Sequence, residues 1–447
     1  MVELLETTFA EFRDRLATKA VVLDRGAIER SVEPLQRELG AGVWLIVCDD
    51  HTWAAAGERT VAALGAAGQP WQRWDPPVPA GANEPVCDEE SVAACRGAIT
   101  TAGAAAALAI GSGTLNDIAK FGAYKAGVYA GCVATAPSMN GYTSGIAAVL
   151  SDGVKTTQPC TPTRVVVADV EVMAEAPAEL IQSGIGDLAS KPVSNADWIV
   201  ANRLTGSTHS NEAAKVIDAS WRLLEGVAPG LAARDRDAVE RLSASLILSG
   251  FAMTVAGNSA PASGGEHLIS HYLDMIAVAN GEKHDLHGRQ VGVGTITAAF
   301  FYEKLRRIDP GTIDPDRLAA ALRPWSEHEG LLRDRFGLLA SAVLGHAEKG
   351  YPSPETLRER MGRLKEQWRG IMADLEGTLR SPDAIEAELA AAGAPTRFKD
   401  LGVDRQRAYR AVAESRDIRA RYTILDLVWE LGYLDSWAEE AVKRYYE

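Results

Sequence analysis

Short apolar runs alternate with amphipathic stretches up to residue 170. The apolar runs lie near turn residues, at 20–23 (AVVL), 43–48 (VWLIVC), 106–110 (AALAI) and 132–134. The stretches between them have helical spacing, at 27–39, 52–64, 90–102 and 115–126. Because strands that alternate with helices usually pair in parallel, this rhythm predicts a Rossmann-like parallel sheet covered on both faces.

Two segments of this half depart from the rhythm. Residues 69–86, QPWQRWDPPVPAGANEPV, are rich in proline and glycine and predict a loop. Further on, β-branched runs at 146–154 and 164–170 flank Asp152-Gly153, which is a hairpin signal.

The pattern changes after Pro177. Long stretches with a 3.6-residue period follow, at 238–248, 313–322, 354–379 and 405–431, and GAPT at 393–396 combines a helix stop with a new start. A chain of 447 residues is too long for one ordinary core. We therefore expect an α/β domain at 1–175 and an all-helical domain at 176–447.

Composition narrows the class of protein. The chain is 47% hydrophobic and 24% charged, with a formal net charge of −14, which is typical of a soluble globular protein and argues against nucleic acid or an anionic membrane as partner. The first residues, MVELLETTFAEFRDRL, predict an amphipathic helix rather than a signal peptide, and no apolar run is long enough to span a membrane. Five cysteines without a CxxC pair favour reduced, buried thiols and a cytoplasmic location.

A glycine turn supplies the first candidate site. The apolar run 106–110 leads directly into Gly111-Ser112-Gly113, and a helical pattern follows. In this geometry backbone N–H groups and the helix dipole can hold a pyrophosphate, and a Cβ at either glycine would keep the phosphate away. The motif is not G-x-G-x-x-G, so an ordinary turn capped by Thr114 or Asn116 is the alternative.

Two further features favour a dinucleotide. Asp49 and Asp50 follow the run 43–48, where a carboxylate can accept hydrogen bonds from an adenosine ribose and repel a 2′-phosphate, which favours NAD over NADP. A solvated acid at a strand end is the alternative. A polar segment rich in small hydroxyl residues, 135–144, follows the run 132–134 and is suited to wrap a dinucleotide.

Histidines supply the second candidate site. Four of the eight fall within 267–287, and His267 and His271 lie one helical turn apart after Gly264-Gly265. His287 begins another helical stretch, and Asp187 follows Ser183-Gly-Ile-Gly in what we expect to be the start of a helix. One aspartate and two histidines suit Zn²⁺ with positions open for substrate. Unrelated surface or core histidines are the alternative.

Five motifs occur in a fixed order along the chain. They are GSGTLNDIAK (111–120), TAPSMNGY (135–142), GIGDLASK (184–191), PASGGEHLISH (261–271) and LHGRQVGVGT (286–295). Together they resemble the sn-glycerol-1-phosphate dehydrogenases, a family within the iron-containing alcohol dehydrogenase, glycerol dehydrogenase and dehydroquinate synthase superfamily. The similarity covers nearly the whole chain, and its tail, GAPTRFKDLGVDR…IRARYTILDL, is similar to the bacterial branch.

The resemblance implies a dehydroquinate synthase-like fold and a reversible hydride transfer between a polyol or polyol phosphate and NAD, with NADP as the alternative. It places one divalent metal, usually zinc with Ni²⁺ or Fe²⁺ as alternatives, on Asp187, His267 and His287. It makes His271 a substrate-contacting, proton-relaying residue, and Lys155 and Lys191 are candidate cations. A homo-oligomer is common in such families. The nucleotide-contacting positions that match are Asp49, Gly111, Ser112, Gly113, Thr114, Asn116, Asp117, Thr135, Ser138 and Ser144.

Two positions depart from the family pattern. Asn140 replaces the acid of TAPSMDGY, which contacts substrate hydroxyls, and Ala260 replaces the arginine before PASG. These changes put the substrate in question and leave the chemistry intact. The rival functions are a lyase resembling dehydroquinate synthase, which regenerates its NAD in each turnover, and a binding protein that has kept the fold. The aspartate at 187, where such synthases usually carry glutamate, favours a dehydrogenase.

Overall fold

The computed structural model describes residues 3–79, 81, 83–151 and 154–447, without the side chains of Val154 and Lys155. The strands are β1 Ala20–Asp24, β2 Trp44–Val47, β3 Trp71–Trp74, β4 Ala106–Gly111, β5 Tyr129–Ala134, β6 Ile146–Ser151, β7 Val154–Pro159 and β8 Val165–Asp169. The helices up to residue 256 are α1 Glu3–Phe12, α2 Ala27–Arg30, α3 Val32–Leu39, α4 Asp50–Thr52, α5 Glu58–Ala66, α6 Glu89–Thr101, α7 Gly113–Ala126, α8 Val170–Ala174, α9 Ala178–Ala189, α10 Lys191–Thr205, α11 Asn211–Arg222, α12 Ala228–Ala232 and α13 Arg236–Ala256.

Ten more helices follow. They are α14 Gly265–Ala279, α15 His287–Leu305, α16 Pro315–Ala320, α17 Trp325–Phe336, α18 Ala340–Gly350, α19 Pro354–Glu376, α20 Pro382–Ala391, α21 Arg405–Glu414, α22 Ile424–Glu430 and α23 Leu434–Tyr445. An N-terminal α/β part and a helical C-terminal part confirm the predicted fold class.

Six parallel strands form the main sheet, in the order β1-β8-β5-β4-β2-β3. The inner strands β4, β2 and β8 are buried along their whole length and are apolar apart from Asp169 at the end of β8, as a sheet with both faces covered requires. β2 and β4 are neighbours, so their carboxyl ends, which precede Asp49 and Ser112, lie at the same edge. Open parallel sheets bind ligands at that edge.

The core of this part is made by helices that pack on the sheet. Leu35 and Leu39 of α3 are buried with Leu108 of β4. A Cβ on Gly131 of β5 would come within 2.9 Å of Leu39 and 3.0 Å of Leu108, so this strand position requires glycine. Close helix–strand contact therefore fixes the sheet beneath the glycine turn.

Several local predictions need correction. Residues 71–74 of the expected loop form β3, because Trp71 packs on Trp53 and Arg73 lies over the same indole, 4.7 Å from its centre. The rest of that segment, in its described residues, forms no helix or strand. The stretch 27–39 breaks at Ser31, and 405–431 breaks between α21 and α22, where the Thr423 side chain caps a new helix start.

The hairpin prediction is right for one run and wrong for the other. β6 and β7 pair antiparallel, from Ile146 opposite Pro159 to Ser151 opposite Val154. Asp152 and Gly153 themselves lie outside the described residues. The second run forms β8 instead, a central strand of the parallel sheet.

The remaining helix predictions hold in substance. The structure has α1, α6, α7, α13, α16 and α19 where the periodicity places helices. α13 is 21 residues long and apolar enough to cross a membrane by length and composition, yet 78% of its most apolar window is buried inside the protein. Such burial is typical of a core helix.

Contacts divide the chain into two compact units. One comprises Met1–Leu188 and Lys215–Asn258, and the other comprises Ala189–Ala214 and Ser259–Glu447. The first unit therefore contains α13 as well as the sheet. The boundary expected at residue 175 stays a prediction about domains.

Candidate functional site

The glycine turn between β4 and α7 leaves space at the helix start. A Cβ on Gly111 would come within 2.6 Å of the Leu115 side chain, so packing alone requires this glycine. A Cβ on Gly113 would meet only Met139, at 4.0 Å, so Gly113 faces open space where a phosphate can approach the backbone. Ser112 precedes the helix without a side-chain cap, so neither Thr114, which is exposed, nor Asn116 caps it.

The segment 135–144, here called the 135–144 loop, is tied to this turn by hydroxyl groups. Ser112 and Ser138 share a hydrogen bond between their Oγ atoms. The Tyr142 hydroxyl donates to the Ala136 carbonyl at 2.7 Å and lies 3.1 Å from Ser112 Oγ. The N–H of Thr135 donates to the Gly111 carbonyl at 3.3 Å. The structure therefore brings these predicted positions together at the end of β4.

Helix α9 packs directly on the 135–144 loop. A Cβ on Gly184 would overlap the Pro137 carbonyl oxygen, and Ser183 Oγ donates to the Ser138 carbonyl at 3.1 Å. Asp187 is buried, one turn further on. It therefore lies near the end of α9 and not in its first turn as expected, because the helix already begins at Ala178 after Pro177.

Helix α13 holds the other side of the same loop. Thr143 Oγ1 donates to the Ile247 carbonyl at 2.8 Å, and Asn140 Nδ2 donates to Ser249 Oγ at 3.2 Å. A Cβ on Gly250 would overlap Thr143 Oγ1 and come within 2.6 Å of the Asn140 carbonyl. Asn140 thus uses its amide N–H within the protein.

A buried lysine, which sequence reasoning missed, supports the loop from below. Lys120 is fully buried, forms an ion pair with Asp117 at 3.1 Å and donates to the Gly141 carbonyl at 2.8 Å. Burial lowers the pKa of Lys120, but Asp117 outweighs burial and the pKa is raised. Asp117 also accepts a hydrogen bond from the Ala148 N–H. In the sequence, the i, i+3 spacing of Asp117 and Lys120 within GSGTLNDIAK indicates that the two side chains can form an ion pair on one helix face.

The other predicted nucleotide positions differ in exposure. Asp49 caps α4 through one oxygen, Oδ1, which accepts from Thr52 N at 2.8 Å and Thr52 Oγ1 at 2.9 Å. Asn116 is buried and accepts from Thr163 at 3.4 Å. Ser144 is buried, and its hydroxyl lies within hydrogen-bonding distance of two backbone carbonyls. Asp49 and the glycine turn lie at the same edge of the sheet, whereas Asn116 and Ser144 are buried and make hydrogen bonds within the protein.

Three histidines come together at the starts of α14 and α15. The ring centres lie 5.2 Å apart for His267 and His287, 5.3 Å for His271 and His287, and 6.2 Å for His267 and His271. His284 is exposed and lies 3.1 Å from Asp274. Each helix starts as the sequence predicts, at a glycine pair and at Leu286.

Hydrogen bonds fix the protonation of two of these rings. His267 Nδ1 lies 2.8 Å from Glu266 Oε1, and a carboxylate can only accept, so the ring proton is on Nδ1. His287 Nδ1 lies 3.0 Å from Ser270 Oγ, whose hydroxyl donates to Gln290 Oε1 at 2.8 Å. With the Ser270 hydrogen directed to Gln290, the shorter of its two acceptor contacts, Ser270 Oγ accepts from His287 Nδ1. In the neutral form of each ring, this tautomer has the lone pair on Nε2.

This donor chemistry fits a divalent metal. Metal-bound histidines usually donate their second N–H to a carboxylate or other acceptor, as His267 and His287 do here. Within the described residues, no group of three or more His, Cys, Asp or Glu side chains is arranged closely enough to hold an ion as it stands.

A buried carboxylate behind α14 was also missed. Asp197 Oδ2 accepts from the Gly265 N–H at 2.7 Å, and Oδ1 accepts from Tyr302 at 2.5 Å and from the Ile424 N–H at 2.8 Å. Burial and the neighbouring Glu266 raise the pKa of Asp197 from 3.8 to about 8. Asp197 thus anchors the start of α14 to distant segments of the same unit.

The candidate cations and the cysteines are less informative. Lys191 is fully buried and donates to Ser190 Oγ at 3.2 Å and to the Ala262 carbonyl at 3.0 Å. The Lys155 side chain lies outside the described residues.

All five cysteines are free thiols. Burial raises the pKa of Cys48 to about 12 and that of Cys160 to about 11, so neither is an activated nucleophile.

Comparison with known proteins decides the family. The glycerol-1-phosphate dehydrogenase [NAD(P)+] of Bacillus velezensis is 30% identical over 441 residues, which cover 94% of this chain and 93% of the relative. The chain belongs to the glycerol-1-phosphate dehydrogenase family. The same enzyme of Bacillus licheniformis is 28% identical over 94% of this chain and 90% of its own length.

The wider superfamily is the one expected from the motifs. A family model described as iron-containing alcohol dehydrogenase matches residues 22–177. Among solved structures, an iron-containing alcohol dehydrogenase of Corynebacterium glutamicum has a TM-score of 0.61 at 15% identity, covering 96% of this chain and 95% of its own. A probable glycerol dehydrogenase of Sinorhizobium meliloti has a TM-score of 0.60 at 18% identity, covering 94% and 98%. These structures confirm the fold of this glycerol-1-phosphate dehydrogenase family member.

Proposed function

We propose that this protein is a metal-dependent, NAD(P)-linked dehydrogenase that interconverts a polyol phosphate and its ketone. Glycerol 1-phosphate and dihydroxyacetone phosphate are the first candidates, because the relatives in this family carry that name. The observation that carries the proposal is the ordered histidine pair. Glu266 and Ser270 lie within hydrogen-bonding distance of Nδ1 of His267 and His287, so in the neutral tautomer that donates from Nδ1 each ring has its lone pair on Nε2, the atom that would bind a metal.

The proposed metal ligands are Asp187, His267 and His287, with zinc as first choice and Ni²⁺ or Fe²⁺ as alternatives. The set combines one carboxylate with two imidazoles, which suits Zn²⁺ and leaves positions open for substrate.

The proposed cofactor is NAD, with NADP as the alternative. Gly113 leaves space for a pyrophosphate at the start of α7. Asp49 uses only Oδ1 in its cap, so Oδ2 remains to accept from ribose hydroxyls and would repel a 2′-phosphate. The remaining contacts are proposed for Gly111, Ser112, Thr114, Asn116, Asp117, Thr135, Ser138 and Ser144.

When bound, the metal would polarise the substrate oxygen, and NAD(P) would accept the hydride. The protein's own part is to orient substrate and manage its proton. His271 stacks on His287 and is proposed to relay the hydroxyl proton. Asn140 donates through Nδ2 to Ser249, which leaves Oδ1 to accept from a substrate hydroxyl.

A substrate panel tests this proposal. The purified protein, loaded with Zn²⁺, Ni²⁺ or Fe²⁺ in turn, is mixed with NADH or NADPH and with dihydroxyacetone phosphate, dihydroxyacetone or other ketoses, and absorbance of the reduced cofactor is followed. We expect net oxidation of NADH with dihydroxyacetone phosphate. A protein that binds NAD but never changes its net redox state with any of these substrates would be a lyase or a binding protein. Light scattering checks the homo-oligomer expected from the family. The five free thiols, four of them buried, support a cytoplasmic location.

A further inference from the structure

Position 260 is one of the two positions at which this chain departs from the pattern of the family. Position 260, just before PASG, is alanine and not arginine. It begins a 3-10 turn, Ala260–Ala262, that directly precedes α14 and its His267. Lys191 lies beneath this turn, and its buried ammonium is directed to Ser190 and to the backbone carbonyl of Ala262. Lys191 therefore supports the turn from the inside.

Arg421 crosses the same turn from another part of the unit. It lies in the connection between α21 and α22, more than 150 residues further along the chain. Its Nη2 donates to Ser259 Oγ at 2.8 Å and its Nη1 donates to the Ser263 carbonyl. The guanidinium therefore connects the two ends of the segment 259–263, which contains Ala260.

The Arg421 guanidinium has more N–H donors than its two hydrogen bonds use. An arginine carries five N–H hydrogens, and the bonds to Ser259 and Ser263 use two of them. Across the described residues, no carboxylate lies within ion-pair distance of Arg421. Burial lowers the pKa of Arg421, and the charges of Glu266 and Asp197 only partly offset this. The group is thus a half-buried cation whose fork suits a phosphate oxygen pair.

A second guanidinium increases the local positive charge. Arg419 lies two residues earlier, directly after the 3-10 turn Ser415–Ile418. Burial and the charge of Arg421 lower the pKa of Arg419 to about 10. The positive charges of Arg419 and Arg421 repel each other, and partial burial strengthens this repulsion. A bound anion would reduce it, so the pair favours anion binding.

We propose that Arg421, assisted by Arg419, binds the phosphomonoester group of the substrate and so replaces the arginine absent at position 260. This inference rests on the proposed function and specifies its substrate class. Ser263, which accepts from Arg421, is four residues ahead of His267, so one short segment connects the anion site with the imidazole that is proposed to bind metal.

Steady-state kinetics of Arg421→Ala on the metal-loaded enzyme tests the inference. With NADH fixed, the KM for dihydroxyacetone phosphate is expected to rise about tenfold to a hundredfold, the effect of losing charge-assisted hydrogen bonds. The KM for dihydroxyacetone and the dissociation constants of NADH and NADPH should stay unchanged, which separates a substrate phosphate from a cofactor phosphate. Adding Ala260→Arg to the Arg421→Ala variant should restore most of the loss.

The matched control is Arg369→Ala, which removes an exposed arginine of α19 and should change neither KM. Equal losses with dihydroxyacetone and dihydroxyacetone phosphate, or an unchanged KM in Arg421→Ala, would overturn the inference. If Arg421→Ala does not fold by circular dichroism, Arg421→Lys takes its place, with a smaller rise in KM expected because the charge stays and the fork is lost.

A binding measurement separates this inference from the proposed function. Calorimetric titration with inorganic phosphate needs no turnover, and we expect binding to the wild type that is at least tenfold weaker in Arg421→Ala. Equal phosphate binding in both proteins, or none in the wild type, contradicts the anion site. A wild type that binds phosphate but turns over no substrate contradicts the proposed function alone.

Discussion

The two candidate binding regions are built by different means. Around the 135–144 loop, backbone carbonyls and small residues meet at van der Waals distance, and glycines on α9 and α13 permit the contact. Around the starts of α14 and α15, side chains meet through hydrogen bonds that determine where protons lie. Steric changes should therefore damage the first region, whereas changes of donor and acceptor should damage the second.

The largest effect is expected from Gly184→Ala. Its Cβ would overlap the Pro137 carbonyl, so α9 or the loop has to move, and we expect a loss of several kcal/mol in stability together with NADH binding. Thermal unfolding and NADH titration measure both. Gly113→Ala is the matched control: its Cβ fits, so the melting temperature should hold while NADH affinity falls. A stable Gly184→Ala protein with normal NADH affinity would break the comparison.

A smaller effect is expected from Ser270→Ala. His287 Nδ1 loses its acceptor, so its tautomer is no longer fixed, and metal affinity should fall about tenfold to a hundredfold with little change in melting temperature. Competition with a chromophoric chelator measures it. Ser415→Ala is the control, because the Ser415 hydroxyl is buried without a hydrogen-bond partner among the described residues. Equal metal affinities in both variants would remove the role assigned to Ser270.

The smallest effect is the expected change of melting temperature with pH. The pKa of Asp197 is raised in the folded protein from 3.8 to about 8, so the folded state binds a proton more tightly than the unfolded state does. This contribution to stability is fully present below pH 4 and is lost as pH rises through 8. The melting temperature of the wild type should therefore fall by a few degrees between pH 6 and 9. The fall should be smaller in Asp197→Asn, which lacks the titrating carboxyl group. A pH dependence that is the same in both proteins would contradict this.

The sequence alone predicted the features that depend on residues close to one another in the chain. The strand–turn–helix order around Gly111 and the helix starts before His267 and His287 follow from periodicity and glycine placement, and the structure has them. The grouping of the three imidazoles depends on the packing of α14 against α15, which only the family resemblance implied.

The residues that sequence reasoning missed are those whose role depends on a distant partner. Asp197 accepts from Ile424, 227 positions away, and Arg421 donates to Ser259, 162 positions away. Such pairs leave no periodic signal in a single sequence. Asp187 was placed at the wrong end of its helix because the glycines of GIGD suggested a helix start, whereas Gly184 serves close contact with Pro137.

The most direct test of the central claim is metal-dependent turnover in His267→Ala and in His284→Ala, a matched control whose ring is exposed and lies beside Asp274. Metal content is measured by mass spectrometry and turnover by NADH oxidation with dihydroxyacetone phosphate. We predict that His267→Ala stays folded, loses its bound metal and loses about a thousandfold or more in kcat/KM, while His284→Ala keeps both. Wild-type turnover in a folded, metal-free His267→Ala protein would contradict the account.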